Sequence, residues 1–314
     1  MKILQKVQGK RFCKKIEKSE TMILIFEFFS FIFTLKPIYL VSGFGDFPIY
    51  SQIDDQSLYP ECPREMYHQK VKTSDLQFFS AYPDCVAKLL RVQVNNTTKK
   101  VEQLPGIHTY YPQFSDISPY YDMFGTIINK IKGLGYQENV NIFGVGYNYF
   151  LHPVTSYKIY NELKTQIEQV YAKTREKSIL ISYDQGTSFT SIFLSNYSQS
   201  EWVKKYIDSV IFISPTFGGF PLSPEFISQV IPAFKTNDEL RKSIMRMPGL
   251  HIRIPNYAIF ENFSKSQTSN FLNGIDQIDI ESQNIFKAEV EKYLKVPVPE
   301  PPIPSFLIYN DRQE

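Results

Sequence analysis

The chain has 314 residues, enough for one large domain or two small ones. Apolar residues make up 43% and charged residues 21%, the ordinary balance of a protein able to bury a core. Basic and acidic side chains number 34 and 32, so no global field draws the chain to nucleic acid or to acidic substrates.

The N-terminus is asymmetric. Seven basic side chains, from Lys2 to Lys18, precede Met22–Leu35, which is apolar apart from Glu27, Ser30 and Thr34. That run is too short to span a bilayer but has the size of a signal-peptide core behind a positive region. Residues 1–35 are therefore read as a leader, either cleaved or tethering the protein to the secretory membrane; a buried helix or strand is the alternative. The remaining 36–314 form the folded domain. Asn95, Asn96, Asn196 and Asn262 each begin a glycosylation acceptor triplet, which fits a lumenal or extracellular location. Cys13 falls in the leader, leaving Cys62 and Cys85 as an even pair, either one disulfide or two thiols.

Pro37–Ser42 is a continuous apolar run cut by Gly43 and Gly45, the pattern of a buried strand ending in a turn. Residues 54–105 are polar and proline-containing and read as an irregular insertion. A second strand is expected over 107–111, stopped by Pro112. Ser118 and Pro119 suit the cap and first position of a helix carrying Phe124, Ile127, Ile128 and Ile131 on one face. A strand at 140–145 precedes a long helix at 155–174 with Tyr160, Leu163, Ile167, Val170 and Tyr171 at helical spacing. Strands follow at 178–183 and 210–214, with a helix bearing Phe189, Ile192 and Phe193 between them. A helix at 281–294, a stiff proline-rich connection at 297–304 and a strand at 306–309 close the chain. Strands alternating with helices predict an α/β fold, a mainly parallel sheet with helices on both faces.

Ile179-Leu-Ile-Ser-Tyr-Asp-Gln-Gly-Thr-Ser188 is the most informative stretch. A buried strand, a sharp turn and a helix form the setting of a nucleophile elbow, G-x-S-x-G, where residues two before and two after the tip must be small. Ser182 and Gly186 meet that need, yet the tip is Asp184. Other segments agree in order. Pro37-Ile-Tyr-Leu-Val-Ser-Gly43 resembles a P-V-I-L-V-P-G opening. Pro105-Gly106 and Pro112-Gln-Phe-Ser-Asp116 resemble a P-G-V then P-G-F-G pair. Gly135-Tyr136 resembles a G-Y, and Phe143 to Phe150 a stretch ending G-A-P-Y-D-W-R. Trp202–Ile207 is similar to W-K-D-K-Y-I, and Ser214–Phe220 to A-P-W-G-G-S. Together they resemble the lecithin:cholesterol acyltransferase-like branch of the α/β-hydrolases.

The resemblance implies an α/β-hydrolase core with a lid, acting on phospholipid acyl esters by acyl transfer or hydrolysis at a phospholipid or acyl-lipid surface. It places Cys62 and Cys85 at the family's lid disulfide and the backbone amides of Phe114 and Gln185 at its oxyanion hole. Departures bear on activity. Gln113 replaces the P-G-F-G glycine, Asn148-Tyr149-Phe150 replaces D-W-R, and Asp184 replaces the serine. The family's acid and histidine follow a strand matching 304–309, and the sequence ends at Glu314, so the C-terminal part of the fold is expected to be missing. Of His68, His108, His152 and His251, only His251 follows the elbow, and it reads as a surface or core residue. Asp184 is read as a cap on the following helix; an aspartate nucleophile against saturated carbon is the other chemistry open to it. The expectation is a family member impaired in catalysis and binding lipid at most. The alternatives are an active acyltransferase or phospholipase with a truncated or misread coding sequence, and an aspartate-nucleophile hydrolase. No metal cluster or phosphate-cradling loop is seen, so neither metal nor cofactor is expected.

Overall fold

In the computed structural model of the chain, residues 4–7, 10–12, 35–74, 76–95, 97–98, 100–112, 114–219, 237–251, 284 and 300–309 are described. Within the segment read as a leader, Leu4–Val7 (β1) and Lys10–Phe12 (β2) pair antiparallel; its apolar core lies outside the described residues. The first apolar run forms Ile38–Val41 (β3), with all four side chains buried. Nothing polar interrupts it, as befits a strand covered on both faces.

The 54–105 stretch, read as irregular, is ordered. Tyr50–Ile53 (β4), Glu65–His68 (α1), Val71–Lys72 (β5), Leu76–Ala81 (α2), Pro83–Leu90 (α3), Val92–Val94 (β6), Val101–Gln103 (β7) and Ile107–Tyr110 (β8) succeed one another. β5, β4 and β8 make a separate antiparallel sheet, and β6 pairs with β7 in a hairpin. The strand expected after residue 106 therefore belongs to this small sheet, which begins before the insertion's predicted boundary. Pro83 starts α3, whose Cys85, Val86, Ala87, Leu89 and Leu90 are buried. Cys62 and Cys85 are joined in a disulfide with Cα atoms 4.7 Å apart, inside the range the bond allows.

Beyond the insertion the alternation of helix and strand holds. A single 3-10 turn at Ser118–Tyr120 leads into Tyr121–Lys132 (α4). The Ser118 hydroxyl donates to Asp116 Oδ1 instead of capping a helix, so Pro119 sits in the tighter turn. Then come Ile142–Gly144 (β9), Tyr157–Thr174 (α5), Ser178–Tyr183 (β10), Gln185–Ile192 (α6), Ser200–Tyr206 (α7) and Ile207–Ile213 (β11). Val140, expected in β9, is exposed and precedes it. α5 buries Ile159, Tyr160, Leu163, Ile167 and Val170, and Arg175 ends it in the left-handed conformation. Asp238–Met245 (α8) and Pro248–His251 (α9) follow, and Ser305–Ile308 (β12) is the last strand. The helix expected at 281–294 lies outside the described residues, save Asn284.

The main sheet runs β2-β1-β12-β11-β10-β3-β9, with β12, β11, β10, β3 and β9 parallel. β1 joins the edge antiparallel to β12, with Leu4 opposite Leu307, so part of the segment read as a leader extends the sheet. This is the architecture of an α/β-hydrolase. Chain order reverses at β3: the path steps outward to β9, then back across β3 to β10. Right-handed crossovers in opposite directions place α4 and α5 on opposite faces. They leave a crevice at the carboxyl ends of β3 and β10, where sheets of this kind bind their ligands.

The disulfide closes a loop across 23 positions. Chain-entropy arguments put its contribution at about 3 kcal/mol. Cys85→Ser is expected to lower unfolding stability by about that amount in urea titrations, and reductant should do the same to the native protein. An unchanged midpoint would show that the insertion needs no staple.

Candidate active site

Asp184 stands at the junction of β10 and α6 with φ 47 and ψ −123, outside the left-handed helical well that tolerates some non-glycine residues. Four backbone contacts hold it there. Its N–H donates to Ile213 O at 3.2 Å, and its carbonyl accepts from Thr187 N at 3.0 Å, Thr187 Oγ1 at 2.6 Å and Thr216 Oγ1 at 3.3 Å. The small residues required around the tip do what the elbow pattern asks. A Cβ on Gly186 would lie 2.5 Å from the carbonyl oxygens of both Val41 and Ser42, so only glycine lets α6 start against the end of β3. On the other side of the tip, Ser182 is buried and shares a 2.7 Å hydrogen bond with Thr190. All eight residues of α6 are buried, which anchors the turn from behind.

The Asp184 carboxylate does not cap its own helix, contrary to expectation. Its Oδ2 accepts the N–H of Phe44 at 3.2 Å. The reason is steric: the turn at φ 47 throws the side chain across to the loop after β3, where a Cβ on Gly43 would meet Asp184 Cβ and Oδ2 at 2.6 Å. The preceding amide, Gly43 N–H, donates to Asp46 Oδ2 at 2.6 Å. Two consecutive amides of one loop thus hold two carboxylates. In α/β-hydrolases an amide of the loop after the neighbouring strand and the amide after the nucleophile together form the oxyanion hole. Phe44 supplies the loop amide that meets the tip. Phe114, given an oxyanion-hole place by sequence, has its carbonyl bound to Gly144 N–H at 3.1 Å and no hydrogen bond to Asp184. Gln113 is outside the described residues.

Gln185 follows the tip and is fully buried. Its Nε2 donates to Gly249 O at 2.9 Å, and Gly249 N–H donates to Phe150 O at 2.9 Å. α9 is thereby strapped over the start of α6. Asn148-Tyr149-Phe150, which departs from the family trio, builds the wall beneath this strap. Tyr149 packs against Phe44 with tilted rings, centroids 4.9 Å apart, Tyr147 donates to Ser42 O at 2.9 Å, and Tyr147 stacks on Phe189 at 4.4 Å. Burial raises the Tyr149 hydroxyl well above the ordinary phenol range, so it stays neutral and serves as a donor. His108 sits on Asp54 at 2.8 Å in the insertion, and His152 Nδ1 accepts from Val154 N–H at the start of a 3-10 turn. The side chains of His68 and His251 lie outside the described residues. Among the described residues no three His, Cys, Asp or Glu side chains gather as a metal-binding group.

The contact between Gly43 and Asp184 is testable. Gly43→Ala should destabilise the fold by about 1–3 kcal/mol, because the added Cβ would lie 2.6 Å from the Asp184 Cβ, whose backbone four hydrogen bonds hold in place. In an Asp184→Gly background the same substitution should cost less, with a coupling of about 1 kcal/mol or more in a double-mutant cycle. Strict additivity in urea titrations would mean that the two residues do not meet.

The sequence is similar to known proteins over about half of its length. The sequence matches the lecithin:cholesterol acyltransferase family over residues 69–231, just over half of the chain and including the elbow. It is similar to the phosphatidylcholine-sterol acyltransferase of Gallus gallus, 24% identical over 144 residues that cover 43% of this chain and 35% of that protein. The lysosomal phospholipase A and acyltransferase of Bos taurus is 23% identical over 148 residues, 44% of this chain and 36% of that protein. Its counterpart from Homo sapiens is 23% identical over 149 residues. The chain spans about a third of the length of the curated relatives it matches. With the parallel sheet, the strained turn at Asp184 and the matched sequence in agreement, the chain belongs to the lecithin:cholesterol acyltransferase family of α/β-hydrolases.

Proposed function

We propose that this chain is a catalytically impaired member of the family, keeping a fold that binds acyl lipid without turning it over. The supporting observation is the Asp184 carboxylate at the strained tip, bound to the Phe44 amide. Acyl transfer on this fold needs a hydroxyl at the tip and empty amides to receive the oxyanion. Asp184 supplies no hydroxyl, and the loop amide already holds an anion. A fixed negative charge about 4 Å from a developing oxyanion costs on the order of 4 kcal/mol at an effective dielectric of about 20, roughly a thousandfold in rate. Of the histidines with described side chains, His108 is paired with Asp54 and His152 has its Nδ1 committed to the backbone.

Lipid binding is carried over from the relatives, whose names specify phosphatidylcholine, a sterol and phospholipid. Placement in the secretory pathway belongs to the same reading. It is supported by the basic and apolar order of residues 1–35, by the lysosomal relatives, and by the Cys62–Cys85 bond, since disulfides persist in oxidising compartments. In this reading 36–314 is the hydrolase domain with its cap and 1–35 its leader, whose Leu4–Val7 strand pairs with β12 while the segment remains attached. Asn196 is exposed, and Asn95 turns the β6–β7 hairpin by accepting from the amides of Thr97 and Thr98. Asn96 and Asn262 lie outside the described residues. Among the described residues no helix is long and apolar enough to cross a membrane.

With phosphatidylcholine vesicles, the purified chain should bind yet release or transfer no acyl group above background. Asp184→Ser should stay inactive, because His108 and His152 are held elsewhere and an unassisted hydroxyl is a poor nucleophile. Robust turnover by the unmodified chain, abolished in Asp184→Asn, would replace this reading with an aspartate nucleophile. Expression in a secreting cell should yield glycosylated lumenal or extracellular protein. A cytosolic, unglycosylated product with Met1 intact would contradict the secretory placement.

A further inference from the structure

The two glycosylation acceptors whose side chains are described, Asn95 and Asn196, stand in different surroundings. Asn95 is built into the β6–β7 hairpin. Its Oδ1 accepts from the amides of Thr97 and Thr98. Its Nδ2, the atom a glycan takes, donates to Glu102 Oε2 at 3.0 Å. A sugar on that nitrogen would take one of its two N–H groups and crowd the Glu102 carboxylate. Asn196 is exposed, and its side chain makes no hydrogen bond among the described residues.

Asn196 belongs to the π-helical turn Phe193–Tyr197 that follows α6. Its chain neighbour Tyr197 fixes this turn against the start of α5. The Tyr197 hydroxyl donates to Asn161 Oδ1, and its ring packs on Tyr160 at 5.1 Å and on Tyr157 at 6.1 Å between centroids. Tyr160 is buried, but Tyr157, the first residue of α5, is 51% exposed. Lys100, beyond the hairpin turn, places its ammonium 5.7 Å from the Tyr157 ring centre, near the outer limit of a cation–ring contact. The ring stays open to solvent, one side-chain contact from the acceptor's neighbour.

We infer that Asn196 carries an N-linked glycan whose first N-acetylhexosamine packs on the Tyr157 ring. The inference rests on the secretory reading, which brings the chain to the enzymes that attach such glycans. A pyranose has a face of C–H groups with partial positive charge, and the negative face of an aromatic ring attracts them. Consecutive backbone positions lie about 3.8 Å apart, and the sugar extends several ångströms beyond its asparagine, so a ring that Tyr197 already touches is within its reach. There the sugar covers apolar surface that the fold leaves open.

Peptide mapping by mass spectrometry of the full chain from a secreting cell tests the acceptor, and thermal melting tests the seat. Asn196 should be occupied and Asn95 bare. Trimming the glycan to its first sugar with an endoglycosidase should leave the melting temperature unchanged. Asn196→Gln, which prevents attachment, should lower it by about 1–3 °C, the shift one ring contact gives in a chain of this size. In a Tyr157→Ala background Asn196→Gln should shift nothing, whereas Tyr157→Phe should preserve the native shift. Secreted protein glycosylated elsewhere with Asn196 bare overturns the inference. So does an equal loss with and without the Tyr157 ring, or a fall already complete on trimming. Protein retained in the cytosol with every acceptor bare removes the secretory placement, and the inference with it.

Discussion

Two backbones meet where β3 ends and β10 turns, and the arrangement of the site follows from how closely they do so. The parallel register sets Ser182 opposite Val41, which brings the tip of the elbow alongside the loop that begins at Gly43. Gly186 lets the first turn of α6 rest on the carbonyls of Val41 and Ser42, and Gly43 gives the Asp184 side chain its only direction. The backbone at φ 47 is held by neighbours on β11, α6 and the loop after β11. Strain of this kind, on the order of 1–3 kcal/mol, persists only where the surroundings over-determine it. The geometry of the turn rests on glycines and on strand register.

The Asp184 side chain settles where a backbone amide holds its charge. Amides after β3 are oriented outward by the sheet, and the Asp184 and Asp46 carboxylates take one each. A carboxylate bound by backbone N–H groups is a stable arrangement, with charge-assisted bonds stronger than neutral ones. The wall of Tyr147, Tyr149 and Phe150 is almost wholly buried, and the strap through Gly249 ties it to Gln185. α8, on the same segment, packs against α3, so the disulfide-bearing insertion and the elbow share one intermediary.

Periodicity and apolar continuity carried the core. Ser178–Tyr183 was legible to the residue, because a run buried on both faces has sharp polar ends. α5 was legible by its repeating apolar face. Edges were less clear: Val140 looks like strand but is exposed, since hydrophobicity alone does not say where pairing begins. The insertion was opaque for a physical reason. Its strands are two to four residues long, too short to show alternation, and β4 finds its partner β8 far along the chain. At the site, Asp184 was found because Ser182 and Gly186 are small. The bond from the Phe44 amide to Asp184 was not foreseen, because any residue's amide can donate it and side-chain identity leaves no trace of it. The available signal was Gly43 and Gly45, read as a turn and as part of the stretch resembling the P-V-I-L-V-P-G opening.

The pairing of Phe44 with Asp184 spans 140 positions, and β3 waits for β10 across a comparable stretch. Loop closure on that scale is slow, and no local segment can impose the turn on its own. The strained tip therefore belongs to the assembled sheet: a peptide of β10 and α6 alone would lack Phe44, Ile213 and Thr216, three of the residues that bond to Asp184.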